Sequence, residues 1–186
     1  MALPKVAVVN GSLRKDSFNK KLALAVAKLA AGKLELKLVD LSEVPLYNQD
    51  LEANYPAAAQ RVKDEIAAAD AVLFVTPEHN RSIPAALKNI IDWVSRPYGT
   101  SKWAGKPAGI LGATPGQVGT AVAQNHLRSV LVAQGIALLG RPEVYFIYKD
   151  GVFDADHNVT DAAAKKILEG FVESFTGWVA KLTHTH

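Results

Sequence analysis

The chain has 186 residues, 49% apolar and 21% charged, which is room for one full-sized core and the composition of a folded globular protein. Its lack of cysteine excludes a disulfide framework, a thiolate metal site and a cysteine nucleophile. A formal charge of +3 without a Lys/Arg stripe argues against nucleic acid as a partner, and no apolar run is long enough to span a bilayer.

The N-terminus, MALPKVAVVNGSL, has neither the charged region nor the cleavage site of a signal peptide, so a cytoplasmic protein is expected. Val6–Val9 is an unbroken apolar, mostly β-branched run, as in a strand buried on both faces. After the loop NGSLRKDSFN, Phe18, Leu22, Val26 and Leu29 share one helical face, which Gly32 ends. Leu34–Val39 alternates apolar and polar residues and reads as a strand with one more exposed side; the connection SEVPLYNQD follows. Val62, Ile66 and Ala69 mark a second helix, leading to the buried strand DAVLFVT. Ile83, Leu87, Ile90, Ile91 and Val94 mark a third, with Pro84 in its first turn. KPAGILGAT is the next strand, and a helix runs from about Gly119 to Gln134. IALLGRPEVYFIY carries the last strand, with a break expected at Gly140–Pro142. The final helix turns Ile167, Phe171, Phe175, Trp178, Val179 and Leu182 inward. This alternation predicts one α/β domain over residues 1–186, a three-layer flavodoxin-like sandwich whose five parallel strands run in the order 2-1-3-4-5.

In such sheets ligands sit beyond the carboxyl ends of the strands, near the switch point. Three loops reach that place: NGSLRKDSFN, TPEHNRSIP and GATPGQVGT. In the first, Gly11 permits a tight turn, Ser12, Ser17 and Asn19 offer side-chain donors, and the helix start adds N–H groups and a positive dipole end. Arg14 brings a fork suited to a phosphate dianion, so together they describe a cradle for one phosphomonoester. Taken singly, Ser17 or Asn19 reads first as a helix cap and Arg14 as a solvated side chain; it is their joint occurrence that points to phosphate. The loop is neither G-x-G-x-x-G nor a Walker loop, and the chain has no G-x-S-x-G elbow. The histidines form no helix-spaced metal pair, and His184 and His186 fall at a terminus expected to fray, so no metal site is predicted.

GSLRKDSFN together with TPEHNRSIPAALKNIIDW resembles the NADPH-dependent FMN reductase family, in its quinone and chromate reductase branch. The likeness continues through AGKPAGILGATPGQVGTAVAQNHLRSVL and GRPEV. It implies non-covalent FMN, NADPH or NADH as hydride donor, small electron acceptors (quinones, chromate or free flavin), a cytoplasmic role, and homodimers or homotetramers. By this resemblance Ser12, Arg14, Ser17, Phe18 and Asn19 hold the FMN phosphate and ribityl chain. Pro77, Glu78, His79 and Asn80 line the ring, Ser82 and Lys88 support that loop, and Thr114 and Gly116 approach the pyrimidine side. Two positions depart from the family: His79 and Asn125 each stand where relatives carry tyrosine, while Arg128 and Glu143 are retained. The implied reaction is ping-pong, with flavin N5 as the reactive atom and no catalytic side chain. Arg96 is a candidate for positive charge near the mouth of the site, or else a solvated arginine at a helix end. A non-catalytic electron carrier and a flavin sensor are the rival readings, although carriers of this fold are usually acidic and this chain has a pI near 9.0.

Overall fold

The computed structural model describes residues 2–183; His184 and His186 lie outside the described residues. In chain order the elements are β1 (Lys5–Asn10), α1 (Phe18–Leu29), β2 (Glu35–Leu38), a 3-10 helix (Gln49–Asn54), α2 (Ala57–Ala68), β3 (Ala71–Val75), α3 (Ala85–Val94), β4 (Pro107–Thr114), α4 (Ala121–Ala133), β5 (Ala137–Leu138), β6 (Val144–Ile147) and α5 (Ala162–Thr183).

Successive strand side chains leave opposite faces, and this alternation divides the core in two. Val6, Val8, Leu73 and Val75 enter one cluster beneath α1 and α5; Ala7, Val9, Val72 and Phe74 enter the other beneath α2, α3 and α4. The sheet order is β2-β1-β3-β4-β5, with β6 also on β4, and every pairing is parallel. The last strand is indeed divided where Gly140–Pro142 predicts. Ala137–Leu138 pairs with Pro107–Ala108, and Val144–Ile147 pairs with Leu111–Thr114 further along the same neighbour. Edge strand β2 alternates exposed and half-buried residues, as its sequence pattern requires.

Several boundaries differ from the sequence reading. Pro84 is the residue before α3, where its fixed φ of −70° leads into the helix, and does not sit within the first turn. Ala69 is extended (ψ 144°) and ends α2. The connection after β2 contains the 3-10 helix, capped by Asn48, whose side chain accepts from Asp50 N–H. On α5, Ile167 is 54% exposed and Leu168 is fully buried, so the inward stripe starts one residue later than expected. Trp178 is half-buried and donates from Nε1 to the Ala137 carbonyl at 2.8 Å. No described helix is long and apolar enough to cross a membrane.

Candidate functional site

β1 and β3 end side by side at Asn10 and Val75, β4 runs three residues further to Thr114, and the loops that leave them wall a cleft of about 520 Å³. That volume is of the size that holds a small-molecule ligand or cofactor. Ser12, Arg14, Ser17, Phe18, Asn19, Pro77, Glu78, His79 and Thr114 all line it, so the structure brings most of the sequence-predicted residues together. Asn80 and Gly116 fall in an adjoining depression shared with Glu78 and Thr114. Leu13, Ala113, Pro115 and the α3 start, Pro84, Ala85 and Ala86, complete the wall. The sequence reading assigned the α3 residues to their helix alone. Two alanines directly after a predicted loop were the available signal, since small side chains let a ligand approach the backbone.

Each loop owes its shape to contacts with a distant part of the chain. Gly11 is not in a left-handed turn: its N–H donates to the Val75 carbonyl at 2.9 Å, and it is needed for space. A Cβ there would lie 2.7 Å from Pro84 Cγ and 3.2 Å from Leu87 Cβ. Ser17 caps α1, its Oγ accepting from Lys20 N–H at 3.1 Å. Accepting uses a lone pair and leaves the hydroxyl proton free to donate into the cleft. The N–H groups of Phe18 and Asn19 belong to the first turn, where helix geometry supplies no acceptor. Arg14 is exposed; its guanidinium donates to the Asp16 carbonyl and lies 4.6 Å from the centre of the Phe18 ring, which itself stacks on Tyr148. Asn19, at 3% exposure, is committed to the sheet: Oδ1 accepts from Ala113 N–H and Nδ2 donates to Ala113 C=O, both at 2.9 Å.

The loop after β3 is similarly tied. His79 and Ser82 exchange both backbone hydrogen bonds around Asn80 and Arg81, whose φ values of 49° and 63° describe a type I′ turn. The Glu78 carboxylate bridges this turn to α4. One oxygen accepts from Val122 N–H and Ala123 N–H, each at 3.1 Å, and the other pairs with Arg81 at 2.9 Å. Thr120, the residue before α4, makes no side-chain cap, so Glu78 supplies one from 44 residues away, with its negative charge at the positive end of the helix. Ser82 Oγ meets His126 Nδ1 of α4 at 3.1 Å, and Lys88 pairs with Asp92 on α3. On the third loop, Thr114 Oγ1 accepts from Gly116 N–H at 3.3 Å.

Arg96 does not line the cleft. Its Nε lies 2.6 Å from Glu52 Oε1, which also accepts from the Tyr47 hydroxyl at 2.6 Å. The hydrogen bond from Arg96, then that from Tyr47, holds the Glu52 carboxyl below its usual range. Lys63, buried and pulled below the usual lysine range by that burial, donates to the Arg96 carbonyl and to Thr100 Oγ1. This network fixes the segment after α3 to α2 and the 3-10 helix. Among the described residues no group of three or more His, Cys, Asp or Glu could hold a metal ion.

The NADPH-dependent FMN reductase family matches residues 4–150. The chain is 47% identical over 179 residues to a 2-hydroxy-1,4-benzoquinone reductase of a Burkholderia species, covering 96% of this chain and 97% of that one. It is 46% identical over 175 residues to a quinone reductase of Pseudomonas putida, covering 94% of each. Among solved structures it superposes on the flavoenzyme NAD(P)H:(acceptor) oxidoreductase FerB of Paracoccus denitrificans with a TM-score of 0.94 and 46% identity, covering 96% of this chain and 98% of that one.

Proposed function

The chain belongs to the NADPH-dependent FMN reductase family, whose members are NAD(P)H-dependent oxidoreductases, and on that footing we propose how its cleft works. The FMN phosphate sits at the start of α1 and the ring lies along the β3–α3 and β4–α4 loops. The donor set fits. The first-turn N–H groups, the spare Ser17 hydroxyl proton and the Arg14 guanidinium all favour a dianion. Glu78, the one carboxylate among the described residues that line the cleft, is already neutralised by two N–H groups and Arg81. Pro77, Ala113 and Pro115 offer a flat, mostly apolar wall to the ring. Bound FMN supplies a two-electron carrier whose reactive atom is N5.

The electron acceptors are quinones and other small oxidants, and donor and acceptor use the same place in turn. One observation carries this reading: among the described residues no aromatic ring other than Phe18 and His79 lines the cleft, which leaves room for a second flat ring against the flavin. A nicotinamide can stack there, leave, and be replaced by a quinone. Reliance on NAD(P)H suits a cytoplasmic location. Assembly into two or four copies is part of the same proposal, with α4 as the contact: Val132 is 64% exposed there, one turn from Arg128, which pairs with Glu143 of its own chain at 3.5 Å. Purified protein should be yellow, release FMN on denaturation, and give parallel initial-rate lines when 1,4-benzoquinone is varied at several NADPH concentrations. Colourless protein that cannot be reconstituted with FMN would overturn the cofactor reading. Intersecting lines would overturn the shared site.

A further inference from the structure

Two-electron reduction of a quinone consumes a hydride and a proton, and the cleft wall holds few groups able to give the proton. Among the described residues its ionisable side chains are Arg14, Glu78 and His79. Arginine keeps its proton throughout the working pH range. Both Glu78 oxygens are engaged as acceptors. His79 differs: the turn around Asn80 and Arg81 fixes its backbone, yet its exposed imidazole has no hydrogen bond or ion pair with another described residue.

We propose that His79 is a catalytic residue that donates a proton to the acceptor oxygen during quinone reduction. The inference rests on the FMN reading of the cleft. The hydride originates in NAD(P)H and adds to the quinone; an imidazolium N–H bond breaks as the oxygen's new O–H bond forms. Neutral imidazole is left, and water reprotonates it, so the sum is NAD(P)H, one proton and quinone giving NAD(P)+ and hydroquinone. An imidazole is suited to this because it ordinarily changes charge between about pH 5 and 8. The charged groups that share the hairpin of His79 or its cleft are Glu78 and Arg81, paired at 2.9 Å, and Arg14 from the β1–α1 loop. From α4, His126 reaches the hairpin through Ser82. Side chains of a directly opposed antiparallel pair leave the same face, so His126 stands on the His79 side and is the rival imidazole among the described residues.

The test uses FMN-loaded wild type, His79→Gln, His79→Tyr and His126→Gln, with FMN binding checked first by fluorescence quenching; a wild type that binds no FMN would sink the cofactor reading instead. After reduction with NADPH, each protein is reoxidised in a stopped-flow instrument by benzoquinone or by ferricyanide, which accepts electrons without a proton. The quinone-to-ferricyanide rate ratio should fall about 100-fold in His79→Gln and hold in His126→Gln. In wild type the ratio should decline as pH rises through the imidazole range. A phenol at this position keeps its proton to about pH 10, so in His79→Tyr the decline should move there. Independently of turnover, the His79 ring signal in the NMR spectrum of oxidised, FMN-loaded protein should shift once 4-hydroxybenzoate is bound. A His79→Gln ratio and pH profile equal to wild type, or a His79 signal indifferent to that ligand, would overturn the proposal.

Discussion

Removing the Asn19 carboxamide tests the joint between α1 and β4. Beyond Thr76, whose N–H reaches the Leu111 carbonyl at 2.9 Å, β3 no longer supplies partners to β4. Ala113, two residues on, therefore faces the same side with both its N–H and its C=O bonded to Asn19 instead, each at 2.9 Å. Asn19→Ala leaves both groups unsatisfied in a place where Ala113 itself is 1% exposed. An unsatisfied buried polar group costs about 1–3 kcal/mol, and water entering from the cleft relieves some of it, so a loss of about 2–4 kcal/mol is expected. For a chain of this size that is roughly 5–12 °C in Tm. The assay is urea and thermal unfolding of the FMN-free protein, followed by circular dichroism, with an unchanged denaturant slope. FMN affinity should fall as well, because the start of α1 loses its anchor. If Asn19→Ala weakened FMN binding while costing the FMN-free protein less than about 0.5 kcal/mol, Asn19 would be a direct ligand and the joint argument would be wrong.

Arg14→Ala should weaken FMN binding by about 1.5–3 kcal/mol, measured by fluorescence quenching; an unchanged Kd would place Arg14 outside the cradle. The value should sit near the lower end, because the guanidinium gives up its contacts with the Asp16 carbonyl and the Phe18 ring to reach a phosphate. Since the Glu52 carboxyl is held below its usual range in the folded protein, its contribution is present above about pH 4.3 and is lost as pH falls through the folded value. The Tm gap between wild type and Glu52→Gln should therefore close on acidification, and a gap that persists at about pH 2 would refute the assignment. Light scattering should show a dimer or tetramer, and Asn125→Tyr should shift the balance toward tetramer; a monomer at all concentrations would remove the contact assigned to α4.

Much of the fold was legible because its signals are local. The strand–helix alternation, the edge character of Leu34–Val39 and the break at Gly140–Pro142 are written in periods of two and 3.6 residues and in backbone restrictions of single residues. The 3-10 helix at Gln49–Asn54 escaped because it buries none of its residues and so leaves no apolar period. The cleft was legible as a cluster of loops, since chain order alone places the ends of β1, β3 and β4 together.

The duties of individual polar residues were decided only by the tertiary structure. Ser17 capping α1 is a bond across three residues, and the sequence reading had it in view. Asn19 reaches Ala113 across 94 residues, Glu78 reaches α4 across 44, and Arg96 finds Glu52 across 44. A carboxamide or carboxylate in a loop looks the same in sequence whether it meets a ligand or a backbone group that has lost its strand. By itself the sequence determined where donors and charge gather, because composition and spacing set that. The tertiary structure determined which of them remain free for a ligand, because long-range backbone groups claim their partners first and only the remainder faces the cleft.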